Sequence, residues 1–153
     1  LAFIVSILIS QFEETIARDA LLAALMPVVA LVGGNSGAQS LAIVIRALAR
    51  NDVSEARTVE VIGKQSLIGF VNGLLIGTMS FLLLSITGLS TYALALSIAV
   101  FGNILIGNLF GASIPLILKK LKFDPALASN IFLTLITDIV GFAGFLGIAL
   151  LLI

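Results

Sequence analysis

The last apolar stretch of the chain, residues 125–153, decides the class of fold. It reads PALASNIFLTLITDIVGFAGFLGIALLLI, and its only charged residue is Asp138. A helix needs about 20 predominantly apolar residues to cross the roughly 30 Å hydrocarbon core of a bilayer, so this stretch can span a membrane. Asp124-Pro125 predicts the start of the helix, because Asp accepts hydrogen bonds from first-turn amides and Pro fits the first helical position.

Four further apolar runs precede this stretch. They cover Leu1 to about Gln11, and then about Ala20–Ala49, Val61–Thr87 and Thr91–Leu118. The chain is 60% hydrophobic and only 10% charged, against about 25% charged residues in a soluble domain. Because the runs are long and do not alternate, they favour helices over a β-barrel. The sequence therefore predicts an all-α membrane protein with five transmembrane helices in a single domain, residues 1–153.

The first run is too short to span a bilayer, and we expect it to be the truncated end of a helix. The chain begins at Leu1 without an initiator Met, and it has neither the basic start nor the cleavage site of a signal peptide. We therefore expect the natural N-terminus to lie upstream.

The basic residues are distributed very unevenly between the connections. Only Arg18 lies on one side of the predicted membrane, and the other seven of the eight Lys and Arg residues lie on the opposite side: Arg46, Arg50, Arg57, Lys64, Lys119, Lys120 and Lys122. Basic connections stay in the cytoplasm. Five spans then predict a multi-pass protein of the plasma membrane with a cytoplasmic N-terminus and an extracellular C-terminus.

The residue types exclude several kinds of chemistry. The chain has no Cys and no His, so disulfides, thiolate or imidazole metal sites and Cys or His catalysis are absent. We find no nucleophile–base pair and no phosphate-binding loop, and the sequence predicts that the protein is not an enzyme. It gives no indication of nucleic-acid binding.

Asp138 lies near the middle of the bilayer, roughly 20 Å along the last helix. A charged Asp at this depth costs at least about 2.5–3.5 kcal/mol, so it takes a proton, faces water or meets a cation. At about 100° per residue, one sector of about 100° holds Asn130, Thr134, Thr137, Asp138 and Gly141. Oxygen ligands suit hard cations such as Mg²⁺ or Ca²⁺. A protonated Asp138 bonded to a neighbouring helix is the alternative.

The second run contains an unusual stretch of polar residues and helix breakers. Pro27 removes a helical hydrogen bond, and Gly33-Gly34 lowers the helix propensity. Freed backbone at membrane depth is tolerated where it lines a cavity or is buried in protein. Asn35 and Gln39 form a polar i, i+4 pair, which favours a position beside a pore, with a kinked packing helix as the alternative.

The third and fourth runs are predicted to be packing helices. Small residues spaced by four let helix backbones approach closely. Such faces are formed by Gly69, Gly73 and Gly77 in the third run and by Gly107 and Gly111 in the fourth. Asn72, Asn103 and Asn108 can bridge helices.

The stretch Met26–Ser40, MPVVALVGGNSGAQS, resembles the proline–GGN–G–Q–S signature of the MgtE-type magnesium channel family. Further matches to the pattern of that family are Gly111-Ala112-Ser113-Ile114-Pro115, Lys119-Lys120, Asp124-Pro125-Ala126, Ala128-Ser129-Asn130, Thr137-Asp138 and Gly141. The resemblance covers essentially the whole chain, and the combined signal is specific although each motif alone is weak.

The resemblance implies a homodimer of five-helix subunits with a cation pathway along the dimer axis. In the family, the aspartate matched by Asp138 holds a largely hydrated Mg²⁺, positions matched by Asn130 and Thr134 line the same site, and Gly141 matches a backbone contributor. Thr134 departs from the small apolar residue expected in some members. Many members also carry cytoplasmic regulatory domains that sense Mg²⁺; residues 1–153 do not include them, and we expect any such domain to lie upstream of residue 1 and to act as a partner of this one.

The leading hypothesis is therefore transport of Mg²⁺ through a dimeric, channel-like pore with Asp138 at mid-membrane. The choice among Mg²⁺, Mn²⁺, Co²⁺, Ni²⁺ and Ca²⁺ stays open. The second hypothesis is a Na⁺- or H⁺-coupled Mg²⁺ exchanger, in which Asp138 binds and releases a proton. The third is a membrane scaffold, which the glycine faces allow but which gives Asp138 no task.

Overall fold

The computed structural model describes residues 2–53 and 57–153, and over these residues the chain forms helices and short connections without a strand. In chain order the helices are α1 (Ala2–Ser10), α2 (Glu13–Arg18), α3 (Ala20–Ala49), α4 (Thr58–Ser85), α5 (Ser90–Lys120) and α6 (Pro125–Leu152). The all-helical class predicted from the sequence is confirmed.

Four of these helices, α3 to α6, are long and apolar enough to cross a membrane. They correspond to the last four predicted runs, and α3 has the predicted bounds. The short α1 does not qualify as a span, so the predicted fifth transmembrane helix remains a prediction. The segment 13–19, predicted to be a connection, contains the short helix α2. Leu1 and residues 54–56 of the predicted connection 50–57 lie outside the described residues.

Aspartates begin two of the long helices. Asp19 accepts a hydrogen bond from the backbone N–H of Leu21 at 2.9 Å, and Asp124 accepts one from Ala126 at 2.8 Å, which satisfies first-turn donors of α3 and α6. The helix start predicted at Asp124-Pro125 is thus confirmed. The hydroxyl of Tyr92 also donates to the Asp19 carboxylate, and this bond fixes the start of α5 beside the start of α3.

The central helix of the bundle is α5, which packs against α3, α4 and α6. Since α3 to α6 are joined by short connections, neighbouring spans run in opposite directions. The C-terminal ends of α3 and α5 therefore lie at the same end of the bundle as the N-terminal ends of α4 and α6. The seven basic residues counted above lie at this end.

Glycines set the distance between α4 and α5, as predicted. Gly69, Gly73 and Gly77 are buried. A Cβ atom would lie 2.7 Å from Asn108 if added at Gly69, and 3.0 Å from the carbonyl oxygen of Phe101 if added at Gly73. The two helices therefore approach along a stripe that accepts no side chain.

The helix α3 is continuous through Pro27 and through Gly33-Gly34, so the second run is a single helix over its whole predicted length. Gly33 and Gly37 are buried and face Gly107 of α5: a Cβ atom added at Gly37 would lie 2.8 Å from the Gly107 carbonyl oxygen. Gly33 therefore allows α3 to pack closely against α5. The low helix propensity of Gly33 and Gly34 is tolerated because packing within the bundle stabilises α3.

Candidate cation site

The two helices that carry the predicted site residues, α3 and α6, pack against each other in opposite directions. A Cβ atom added at Gly34 would lie 3.6 Å from Thr137 Oγ1. One added at Gly141 would lie 3.4 Å from the Cα of Ala30. These contacts place residue 34 at the depth of residue 137, so Asn35 and Asp138 lie at similar depths in the bundle.

Asn35 and Asp138 also lie on the same side of the α3–α6 pair. Each is the residue that follows a contact residue, Gly34 or Thr137, and each helix turns by about 100° per residue. Because the two helices run in opposite directions, these turns bring both residues to one side. Gln39 is one turn from Asn35, and Thr134 is one turn from Asp138. We call the polar residues of this side the polar face: Asn35, Gln39, Asn130, Thr134 and Asp138.

The polar face is open in the single chain. Asn35, Gln39, Asn130 and Thr134 are exposed, and Asp138 is half-buried. The Asp138 carboxylate lies at a cleft of about 380 Å³ between α1 and α6, whose other lining residues are Ala2, Val5, Ser6, Thr134 and Leu135. Hydroxyl groups of Ser6 and Thr134 are therefore the polar side-chain groups that share this cleft with the carboxylate.

Asp138 has no basic partner among the described residues. Lys64 and Glu60 form an ion pair at 2.6 Å on the outside of α4. Within the described ranges, no three acidic side chains come close enough together to hold a metal ion. A single chain thus offers one carboxylate and a set of neutral oxygen atoms at this depth. Such a set attracts a hydrated cation but cannot enclose a bare one.

The hydroxyl groups of α6 differ in what they can reach. Thr134 Oγ1 donates to the Asn130 carbonyl oxygen at 2.9 Å, which leaves its lone pairs free to accept from water on the polar face. Thr137 Oγ1 donates to the Leu133 carbonyl oxygen at 3.1 Å and is fully buried against α3. The residues of the sector predicted on α6 therefore fall into two groups. Asn130, Thr134 and Asp138 lie on the open side, whereas Thr137 packs against α3.

The remaining predicted site residues are placed at different positions around the same pair of helices. Pro27 is exposed near the start of α3, Gly34 is partly buried against Thr137, and Gly33 is buried against α5. Gly141 is buried beneath Asn103 of α5. The sequence predicted Asn103 as a packing residue that can bridge helices, but not its position over Gly141, which depends on how α5 and α6 are rotated against each other.

Comparison with known proteins supports the assignment of the family. The model of the family described as "MgtE: Divalent cation transporter" matches residues 26–148. The magnesium transporter MgtE of Bacillus subtilis is 34% identical over 147 residues, which are 93% of this chain and 32% of that protein. That of Thermus thermophilus is 34% identical over 153 residues, 98% of this chain and 33% of that protein.

The chain thus spans about a third of the length of these relatives. The matched region contains all of α4 and α5, most of α3 and α6, and every residue of the polar face. With its four long apolar helices, this multi-pass membrane protein belongs to the MgtE family of divalent cation transporters.

Proposed function

We propose that this chain carries Mg²⁺ across the membrane along a pathway lined by the polar face of α3 and α6. The observation that supports this most directly is the position of Asp138. Asp138 is half-buried near the middle of α6 and has no basic partner among the described residues. An ionisable residue at that depth marks an ion or proton pathway by default.

The ligand chemistry fits a hydrated divalent cation. Mg²⁺ gives up its waters reluctantly and is bound through one or two carboxylates while it keeps several of them. Asp138 supplies one charge, and Asn35, Asn130 and Thr134 supply amide and hydroxyl oxygen atoms that accept hydrogen bonds from the water bound to the ion. These neutral groups select among cations by the geometry of the hydration shell. The ion stays mobile because it binds through water.

The pathway is completed by a second copy of the chain. Amide and carboxyl groups on a membrane-spanning surface are unfavourable against lipid, so the polar face needs a cover that is itself polar or wet. A two-fold axis beside α3 and α6 brings two Asp138 carboxylates to one pathway, and their two negative charges balance one Mg²⁺ ion. This arrangement agrees with the homodimer that the family resemblance implies.

The basic end of the bundle faces the cytoplasm in this proposal. Mg²⁺ entering from the other end then moves down the membrane potential, worth about 2.3 kcal/mol per charge per 100 mV. No coupled ion is needed for uptake with that driving force. The plasma membrane is accordingly the proposed location. The proposal also allows regulation by further segments such as those of the longer relatives.

Flux into proteoliposomes tests the proposal. We expect the wild-type chain to admit Mg²⁺ with no other ion gradient, and Asp138→Asn to lose most of this flux at equal insertion. The matched control is Asp124→Asn, the same change on the same helix, because Asn and Asp are equally good at a helix start. Equal flux in the wild type and Asp138→Asn contradicts the assignment of Asp138 to the pathway.

The same assay distinguishes a channel from a Na⁺- or H⁺-coupled exchanger. A coupled exchanger gives no uptake until a Na⁺ or pH gradient is imposed, whereas the proposed channel responds to the membrane potential alone. Replacing external Mg²⁺ by Mn²⁺, Co²⁺ or Ca²⁺ then measures selectivity. We expect Ca²⁺ to be carried least well, because it forms larger and more flexible oxygen shells than Mg²⁺.

A further inference from the structure

Asn103 of α5 lies at the point where three helices meet. Its side chain is almost fully buried, with 1% of its surface exposed. The side-chain amide donates a hydrogen bond to the backbone carbonyl oxygen of Val29 in α3 at 2.9 Å. This bond ties the central helix to one of the two helices that form the polar face.

Glycines on both neighbouring helices make room for this side chain. A Cβ atom at Gly33 of α3 would overlap the Asn103 amide group. A Cβ atom at Gly141 of α6 would lie 2.7 Å from Asn103 Nδ2, which is too close for a real contact. The amide of Asn103 is thus held between the backbones of α3 and α6 and sets the distance between them.

Packing alone does not account for an asparagine at this position. Among the described residues, no donor reaches its Oδ1 atom. Leaving a buried acceptor unsatisfied is unfavourable, and a leucine of similar shape would fill the space without that penalty. An apolar residue cannot replace the hydrogen bond that Asn103 Nδ2 donates to the Val29 carbonyl oxygen.

From this geometry we infer that Asn103 is a positioning residue of the cation site. Gly141, beneath the Asn103 amide, is one helical turn from Asp138. The depth and rotation of Asp138 relative to Asn35 therefore depend on the fit between Asn103, Gly33 and Gly141. The inference rests on the proposed function, since the site it positions is the Mg²⁺ site of the polar face.

Asn108 provides a matched control on the same helix. It is equally buried, with 2% exposed, and its amide donates to Ser36 Oγ of α3 at 2.6 Å. Its glycine neighbour is Gly69 of α4, a helix that carries no residue of the polar face. Replacing Asn108 by alanine also removes a buried bond to α3, but it leaves the contact between Asn103 and Gly141 of α6 in place.

The first test compares Asn103→Ala with Asn108→Ala by the dependence of flux on Mg²⁺ concentration. Both variants are expected to lower thermal stability. Changes in residues that orient a metal ligand typically weaken metal affinity 10- to 100-fold, so we expect Asn103→Ala to raise the apparent KM about tenfold or more and Asn108→Ala less than about threefold. Equal effects of the two variants on KM overturn the inference.

The second test is rescue by a paired change. Gly141→Ala should raise the apparent KM because its methyl group meets the Asn103 amide. In the double variant Gly141→Ala, Asn103→Ala that amide is gone, and the nearest remaining contact is the Ala30 Cα at an ordinary 3.4 Å. We expect the double variant to bind Mg²⁺ better than Gly141→Ala alone. Effects on KM that simply add contradict the inference.

A third measurement separates this inference from the proposed function. The chain has no Cys, so the pair Gly34→Cys and Thr137→Cys reports the distance between α3 and α6 through disulfide cross-linking, without any transport. The cross-linking yield should fall when Asn103→Ala is added and not when Asn108→Ala is added. An unchanged yield with Asn103→Ala overturns the inference, whereas a wild-type chain that carries no Mg²⁺ overturns the proposed function without changing the cross-linking result.

Discussion

Gly107 of α5 lies directly against Gly33 of α3: a Cβ atom added to Gly107 would be 2.6 Å from the Gly33 carbonyl oxygen. In a membrane, helices associate through close packing and interhelical hydrogen bonds, because lipid removes the hydrophobic driving force between them. This backbone contact lies beside the Asn103 amide that also rests on Gly33. The contact between α3 and α5 therefore fixes the position of α3, one of the two helices that carry the polar face.

Gly107→Ala should destabilise the bundle by about 1–3 kcal/mol, the usual effect of overpacking. The matched control is Gly102→Ala on the same helix, where an added Cβ meets nothing within 4 Å. There the change should be neutral or stabilising by up to about 1 kcal/mol through helix propensity. Thermal unfolding in detergent measures both variants. Similar melting temperatures for the two would contradict the close contact at Gly107.

A water-accessible pathway along the polar face is expected to react with hydrophilic reagents. Since the chain has no Cys, Asn35→Cys and Thr134→Cys can be labelled with a charged thiol reagent against a clean background. Leu83→Cys is the control, because Leu83 is 62% exposed on the outer side of α4, where the proposed neighbour is lipid. We expect labelling at positions 35 and 134, slowed by added Mg²⁺, and none at position 83.

This labelling pattern has a clear contrary outcome. If Leu83→Cys reacts as fast as Thr134→Cys, the polar face is no wetter than the rest of the surface, and the pathway lies elsewhere. If Asn35→Cys reacts but Mg²⁺ gives no protection, α3 lines water without lining the ion site.

The lengths of the four spans could be predicted from the sequence because they depend on local composition. The apolar run Ala20–Ala49 became α3 with unchanged ends, and Asp124 begins α6 through its own side chain. The glycines of α4 were likewise predicted to face a neighbouring helix, since the spacing of four residues is visible in the chain itself.

Contacts between distant helices could not be predicted in the same way. Tyr92 donates to Asp19, 73 residues away, and Asn103 bonds Val29, 74 residues away. Both bonds depend on how each helix is rotated about its axis, and the apolar periodicity of a membrane helix scarcely fixes that rotation because lipid-facing and buried residues are both apolar. For the same reason the predicted sector on α6 did not separate Thr137 from Thr134.

The start of α6 should depend on the Asp124 side chain. Asp124→Ala removes the acceptor of the Ala126 N–H bond, and loss of a helix-capping residue costs about 1 kcal/mol. Asp124→Asn should retain most of that stability. Chemical or thermal unfolding of the three proteins in the same detergent measures the difference. An alanine variant as stable as the wild type would mean that solvent replaces this bond without loss.

The hydroxyl of Thr134 is expected to act on transport, not on folding. Thr134→Val keeps the shape of the side chain but removes an oxygen from the wall of the cleft that Asp138 also lines, and Thr134→Ser keeps the oxygen. If that oxygen holds the hydration shell of the ion, Thr134→Val should reduce Mg²⁺ flux by about tenfold, in the range typical of groups around a metal site. Thr134→Ser should stay close to the wild type.

Thr78→Val on α4, remote from the polar face, controls for the exchange of threonine for valine itself. Equal flux for the valine and serine variants at position 134 would show that the oxygen is not used, and would leave Asp138 and the two asparagines as the groups that contact the hydrated ion.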